Sequence, residues 1–264
     1  MNSTNTQYPH PKVSVIMAAF NEEDCIENSL KSLINQTYKN WELIIIDDGS
    51  SDRTLEIIQR FQDLDDRVFL YSNPQNSGLA QSLNSAVEKT DGDYIARADA
   101  DDISVPERLE KQVDFMLQNP SIDIAGSAAY LTNNYHQKGI SKPALSHHEI
   151  SNLPFLKTKV IHPSVIMKNS FFEKFGYYDC NLKRSEDKEL WIRAIKNGAR
   201  FANLEEPLIY YETDGYIRSW KSIINQTKDL YKISNNHKIR HGKTLTLKSL
   251  IYLISVKLGL KRPL

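Results

Sequence analysis

Tyr94-Ile95-Ala96-Arg97-Ala98-Asp99-Ala100-Asp101-Asp102 joins a short apolar run to three carboxylates within four residues. The run has the length and setting of a buried strand. Carboxylates this close repel one another and cost stability unless something cationic sits among them. A divalent ion carrying a phosphate ester meets that need simply, because Mg2+ or Mn2+ takes one or two carboxylates together with phosphate oxygens. Spacing alone does not select this pair. The chain has three Asp-x-Asp pairs: Asp63/Asp65 in a charged stretch, Asp91/Asp93 around Gly92 in a turn, and Asp99/Asp101. Only the last directly follows an apolar strand, where ligands bind in open α/β sheets. The competing reading is an acidic, solvated strand end.

Upstream, residues 13–18 are β-rich and apolar, and Ala19-Phe20-Asn21-Glu22 turns out of them. Ile26, Leu30, Leu33 and Ile34 then fall at helical spacing, predicting a helix over 22–36. Residues 41–47 form a second apolar strand ending in Asp47-Asp48-Gly49-Ser50, and Ser51-Asp52 caps a helix through Leu55, Ile58 and Phe61. A short strand at 68–71, a turn at Asn76-Ser77-Gly78 and a helix through Leu79, Leu83 and Val87 follow, stopped by Asp91-Gly92. Strand and helix alternating at this spacing predict a parallel α/β sheet.

Downstream, Ser104 and Pro106 open a helix through Leu109, Val113, Met116 and Leu117. Residues 122–131 are strand-rich, and 133–151 are polar and loop-like. Ile161-His162-Pro163-Ser164 leads into an apolar strand. Arg184-Ser185-Glu186-Asp187 precedes a helix through Leu190, Ile192, Ala194 and Ile195, and 207–211 is the last strand candidate. Beyond Tyr216 the pattern turns helical and basic. Seven Lys and Arg follow His237 with no acid after Asp229, so this neutral chain has a tail of +7 against −7 elsewhere. Leu247, Leu250, Ile251, Ile254 and Leu258 share one helical face there. The segment is too short for a bilayer core of about 30 Å and reads as interfacial.

The 264 residues, 40% apolar and 25% charged, suit a globular domain with ample core. Cys25 and Cys180 form neither CxxC nor zinc spacing and fit a reducing cytosol. The first ten residues have no apolar signal region, so a cytoplasmic protein is expected. P-loop, GxGxxG and HExxH patterns are absent, and His147-His148 lacks ligand spacing. Asn21 and Asp47-Asp48 end neighbouring strands, where a carboxylate can accept from a base N–H or a ribose hydroxyl. Asp48 is the one expected against a nucleotide, with Asp47 structural. Turn chemistry and helix capping are the plainer reading of both.

Residues 13–54, residues 76–102, His162-Pro163-Ser164 and the run from Ser185 to Trp191 together resemble the inverting family 2 glycosyltransferases of GT-A fold, of the bacterial surface-polysaccharide type. The resemblance spans about 11–211 with four motifs in order. It implies a mixed, Rossmann-like α/β sheet flanked by helices, with a helical C-terminal tail. It divides the chain into a catalytic domain at 11–215, with a nucleotide half (11–102) and an acceptor half (103–215), and a basic extension at 216–264. It also implies a nucleotide-diphosphate sugar donor, usually UDP, against Ala18, Phe20, Asn21, Glu22, Asp48 and Gly78. Asp99 and Asp101 then hold Mg2+ or Mn2+, Asp187 is the catalytic base beside Glu186, and Asp102, His162 and Asp214 are further candidates. The acceptor is a glycan or lipid-linked saccharide in capsule, O-antigen or similar assembly. A peripheral membrane contact through the tail is expected, and no nucleic acid.

One departure stands out. Many relatives carry Arg-x-His after the last strand's tyrosines, but here Glu212-Thr213-Asp214 follows Tyr210-Tyr211. Acid therefore replaces a cationic phosphate partner, and either Asp214 ligates the metal or Arg218 or another basic group takes over. Two rival readings remain open: a receiver-like signalling domain with Asp47-Asp48 as its acidic pocket, and a catalytically silent glycan- or nucleotide-sugar-binding protein of the same fold. The Glu186-Asp187 pair has its own plain alternative, acid at a helix N-terminus.

Overall fold

The computed structural model describes residues 10–152, 160–213 and 220–239, with short helical pieces between 246 and 255. Four parallel strands form one half of the sheet: β1 (Val13–Ala19), β2 (Trp41–Asp47), β3 (Val68–Ser72) and β4 (Tyr94–Arg97). They stand in the order β3-β2-β1-β4, so the chain winds outward from β1 and then returns to its other side. The reversal makes the β1/β4 gap the topological switch point, and the carboxyl ends of these strands open a crevice there.

Helices α1 (Ile26–Ile34), α2 (Thr54–Leu64), α3 (Leu79–Val87) and α4 (Arg108–Gln118) supply the connections, with a two-residue β5 (Ile103–Ser104) before α4. The other half of the sheet is mixed. It holds β6 (Ile124–Asn133), β7 (His136–Ile140), β8 (Ile166–Lys168) and β9 (Phe201–Glu212), continuing from β4 as β8-β6-β9-β5. Here β8 runs antiparallel to β4 and β6, β9 runs parallel to β6, and β7 hairpins onto β6. Between them lie α5 (His147–Ser151), a single 3-10 turn (His162–Ser164), α6 (Ser170–Phe175) and α7 (Glu186–Lys196), and after β9 comes α8 (Trp220–Asn236).

Strand alternation sorts the core into two layers. Val13, Val15 and Met17 meet α1, α2 and α4 on one face, while Ile16, Ile44 and Ile95 meet α3, α6 and α7 on the other. Burial on both faces is why β1 and β2 read as near-continuous apolar runs, interrupted by Ser14 and Glu42, which hydrogen-bond to each other.

Three expectations change. The helix predicted over 22–36 starts at Ile26, because residues 21–23 lie in a loop tied to the β2 end. The stretch 133–151 is not simply a loop. It holds β7, whose residues are mostly exposed and whose strand form comes from pairing with β6, and α5, opened by a capping box between Ser146 and Glu149. The last strand begins six residues earlier than predicted, at Phe201. Among the described residues, no helix is long and apolar enough to cross a membrane. Residues 246–248, Leu250, Ile251, Ile254 and Ser255 are helical, with Leu247 and Ile251 exposed, whereas Leu258 lies outside the described residues.

Candidate active site

Asp99, Asp101 and Asp102 follow β4 at the switch point, each with a carboxylate oxygen within 4.8 Å of the others. Beneath them lie two arginines that the sequence reading missed. Arg97, the last residue of β4, is fully buried and ion-pairs with Asp99. Arg108, opening α4, is equally buried and donates to the Arg97 carbonyl at 2.6 Å, to Ser104 Oγ and to Gln112 Oε1. Burial pushes both guanidinium pKa values down, that of Arg108 to about 10. For Arg97 the sequence offers one hint, a lone cation at the end of an apolar strand directly before the acids, and for Arg108 it offers none. These arginines supply part of the positive charge that the sequence reading assigns wholly to a metal.

The acids are still not fully satisfied. Asp102 Oδ1 accepts from the Glu212 N–H at 2.9 Å, but its Oδ2 is buried without a partner. Burial, then the neighbouring Asp101, raises the Asp102 pKa well above the ordinary range. Burial also raises Asp101, and Glu212 adds to the shift. Close hard oxygens, one orphaned, are a donor set that fits Mg2+ or Mn2+.

The β2 end is built differently. Asp48 is buried, yet its Oδ1 accepts from the Ser77 N–H (2.9 Å), Ser77 Oγ (2.7 Å) and Asn73 Nδ2 (2.7 Å), and its Oδ2 from the Gly78 N–H (2.8 Å). Burial pushes its pKa up, but these donors more than offset it and hold it below the ordinary value. Asp48 therefore ties the 73–78 turn to the sheet, and any contact with a nucleotide shares the carboxylate with that task. Gly49 is required beneath the turn. It takes φ +74°, and a Cβ there would lie 2.8 Å from the Gln75 backbone. Gly78, at φ +94°, opens α3 with free space beside it.

The β1 end links the two acidic ends. Asn21, in left-handed conformation at φ 56°, accepts from the Ser51 N–H at 2.8 Å and donates its own N–H to Ser50 Oγ. Glu22 lies close enough to Asp101 for that charge to add to the burial that raises its pKa. Phe20 is 42% exposed at the crevice edge, and Ala18 packs toward the α3 layer.

Glu186 and Asp187 form the first turn of α7, behind Ser185 in left-handed conformation at φ 65°. Burial, then Asp187, pushes Glu186 up to about 7. Arg97 lies close enough to Glu186 for the two charges to interact, so this turn is near the acidic cluster. His162 Nε2 pairs with Tyr178 Oη at 2.8 Å, and its ring meets Trp191 edge-on. Burial, then Arg97, holds it well below its ordinary pKa, so it is a neutral hydrogen-bonding group. Glu212 receives the N–H groups of Asn134 and Tyr135, which fixes the β6–β7 turn. Asp214 and Arg218 lie outside the described residues. A cleft of about 450 Å³ lined by Arg193, Lys196 and His237 sits at the far end of α7. There Arg193 is committed to Glu189 and to the Phe175 carbonyl, Lys196 to the His237 carbonyl, and the His237 ring to Glu189.

Comparison with known proteins gives one family match, two relatives and two solved structures. The family model described as "Glycosyl transferase family 2" matches residues 14–176. The O-antigen biosynthesis glycosyltransferase WbnJ of Escherichia coli is 35% identical over 206 residues, covering 75% of this chain and 78% of that protein. The amylovoran biosynthesis glycosyltransferase AmsE of Erwinia amylovora is 28% identical, over 83% and 84% of the two chains. Among solved structures, S. aureus TarS 1-349 in complex with UDP-GlcNAc superposes with a TM-score of 0.69 at 19% identity, covering 95% of this chain and 74% of that one. The mannosyltransferase PcManGT of Pyrobaculum calidifontis, in complex with GDP-Man and Mn2+, gives 0.65 at 15%, over 97% and 77%. At these identities the structures establish the shared GT-A architecture.

Proposed function

The chain belongs to glycosyltransferase family 2, an inverting family, and from that premise we propose that it moves a sugar from a UDP-sugar to a glycan or lipid-linked acceptor during surface-polysaccharide assembly. The observation that carries this reading is the strand-end cluster of Asp99, Asp101 and Asp102, with one buried oxygen left unpartnered. Named relatives in O-antigen and amylovoran biosynthesis support the process, and the TarS complex supports a UDP donor.

In this reading Asp99 and Asp101, assisted by Asp102, hold Mg2+ or Mn2+, which when bound neutralises charge on the departing diphosphate. The β1 and β2 ends bind the nucleoside, with Ala18, Phe20, Asn21, Glu22, Asp48 and Gly78 lining the crevice. Asp187 accepts the proton of the acceptor hydroxyl as that oxygen attacks the anomeric carbon from the face opposite the diphosphate. One displacement without a covalent enzyme intermediate inverts the configuration. Glu186, poised near neutrality, shares the charge of the turn with Asp187. UDP release from a panel of UDP-sugars with Mn2+ tests the function. Release that needs both acceptor and metal supports it, whereas donor binding without turnover would leave a silent sugar-nucleotide-binding protein.

The C-terminal portion is proposed to seat the enzyme on the cytoplasmic leaflet. On α8 the exposed residues include Trp220, Ile224 and Tyr231 beside Lys221, Lys228 and Lys232, while its one acid, Asp229, is buried. Basic residues contribute about 1 kcal/mol each near an anionic surface, and aromatic side chains favour the interface. Salt-sensitive sedimentation with phosphatidylserine vesicles, lost on changing the three lysines to glutamate, is the expected result. Wild-type protein left in the supernatant would refute it.

A further inference from the structure

We propose that Asp229, on α8, is a positioning residue for the Glu186-Asp187 turn, so that the C-terminal helix sets the geometry of the site. The inference rests on the reading of Asp187 as the base. Asp229 is 3% exposed, and its Oδ2 accepts the N–H groups of Lys183 at 2.9 Å and Arg184 at 2.8 Å. Those residues immediately precede Ser185, whose left-handed backbone redirects the chain so that α7 can start at Glu186. A non-glycine residue in that conformation persists only where its surroundings enforce it. Ser185 makes no side-chain cap for α7, and its hydroxyl is buried without a partner, so the restraint does not come from its own side chain. Two hydrogen bonds to one carboxylate, stronger than neutral ones, provide it.

The body of α7 does not need Asp229. Leu190, Trp191 and Ala194 anchor it in the core, and Arg193 clamps Glu189. A second tie, from His237 at the end of α8 to Glu189 at 3.1 Å, lies one turn further along. What Asp229 fixes is the entry to the helix, where an error of about 1 Å in a reacting group can cost on the order of 100-fold in rate.

The test uses the full chain with the donor selected by the UDP-release screen, scaling kcat to the fraction of protein that binds UDP with Mn2+. Asp229→Ala is expected to lower kcat about 10- to 100-fold with donor KM unchanged. Asp229→Asn keeps an acceptor oxygen for both amides and is expected to hold kcat within about threefold. In an Asp187→Asn background, Asp229→Ala should cost no more than about twofold, since no base remains to be positioned. Hydrogen exchange should quicken at the 183–186 amides of Asp229→Ala and stay unchanged over 190–194. If the losses multiply, if Asn is as damaging as Ala, or if exchange quickens along all of α7, Asp229 is a residue of general stability and the proposal falls. Retained turnover in Asp187→Asn alone would instead remove the base reading itself.

Discussion

At the end of β2, Asp48 accepts four hydrogen bonds from one turn. At the end of β4, Asp102 accepts one and buries an oxygen with no donor. Both ends belong to the same parallel sheet, follow equally apolar strands and carry adjacent aspartates. Their electrostatics run in opposite directions: Asp48 is held below its ordinary pKa, and Asp101 and Asp102 are pushed above theirs. The fold satisfies the Asp48 carboxylate and leaves Asp102 with one oxygen unpaired, although Asp47 Oδ1 beside Asp48 is also buried without a partner. An acidic strand end is therefore not in itself a ligand site. What separates Asp48 from Asp102 is the number of donors nearby, two backbone N–H groups and two side chains against a single backbone N–H.

The largest effect that could break this contrast is on turnover. Asp101→Asn should reduce metal-dependent UDP release by at least about 10³-fold while leaving the urea midpoint unchanged or higher, because a repulsive charge has gone. Asp187→Asn should lose about 10²–10⁴ in kcat with UDP binding nearly unchanged, the usual worth of a general base. A loss confined to donor affinity would make that turn a binding element.

The mirror experiment is at β2. Asp48→Ala leaves the amides of Ser77 and Gly78 and the side chain of Asn73 without their acceptor, and should cost about 2–3 kcal/mol in a urea melt. Unchanged stability with UDP affinity lost would show that the carboxylate serves the nucleotide and not the turn.

The smallest effect concerns pH. Glu186 titrates near 7 in the folded chain and near 4.5 when exposed, so the folded state holds the extra proton between those values. Its contribution is fully present below about pH 4.5 and is lost as pH rises through 7. Glu186→Gln should therefore raise stability at pH 8 by about 2 kcal/mol, allowing for partial solvent contact, and by little at pH 4.5. Asp48 has the opposite sign, since its depressed pKa contributes stability above the unfolded value that disappears as pH falls through the folded one. A Glu186→Gln difference independent of pH would contradict the assignment.

The parallel half of the fold was legible because strands covered on both faces leave apolar runs, and Asp-Gly and Asn-Ser-Gly mark their ends. β7 was not, because His136–Ile140 carries no alternation and is a strand only through its partner β6. The acidic cluster was found by its position after β4. Arg97 and Arg108 were overlooked because a charge on a strand or an opening helix turn is ordinarily solvated, and only the three-dimensional structure brings both beneath Asp99 and Asp102. The tie from Asp229 to the 183–184 amides joins segments 45 residues apart, which no local pattern reports.

The most direct measurement is the melting temperature of the full chain with Mn2+ and UDP together. A ligand at 100 times its Kd adds about 2.7 kcal/mol, which for a protein of this size raises the Tm by roughly 5–10 °C. Wild type should show that rise and Asp101→Asn should lose it. Wild-type protein whose Tm ignores Mn2+ and UDP, or Asp101→Asn protein that responds as wild type does, would contradict the claim that the β4 end is the open one.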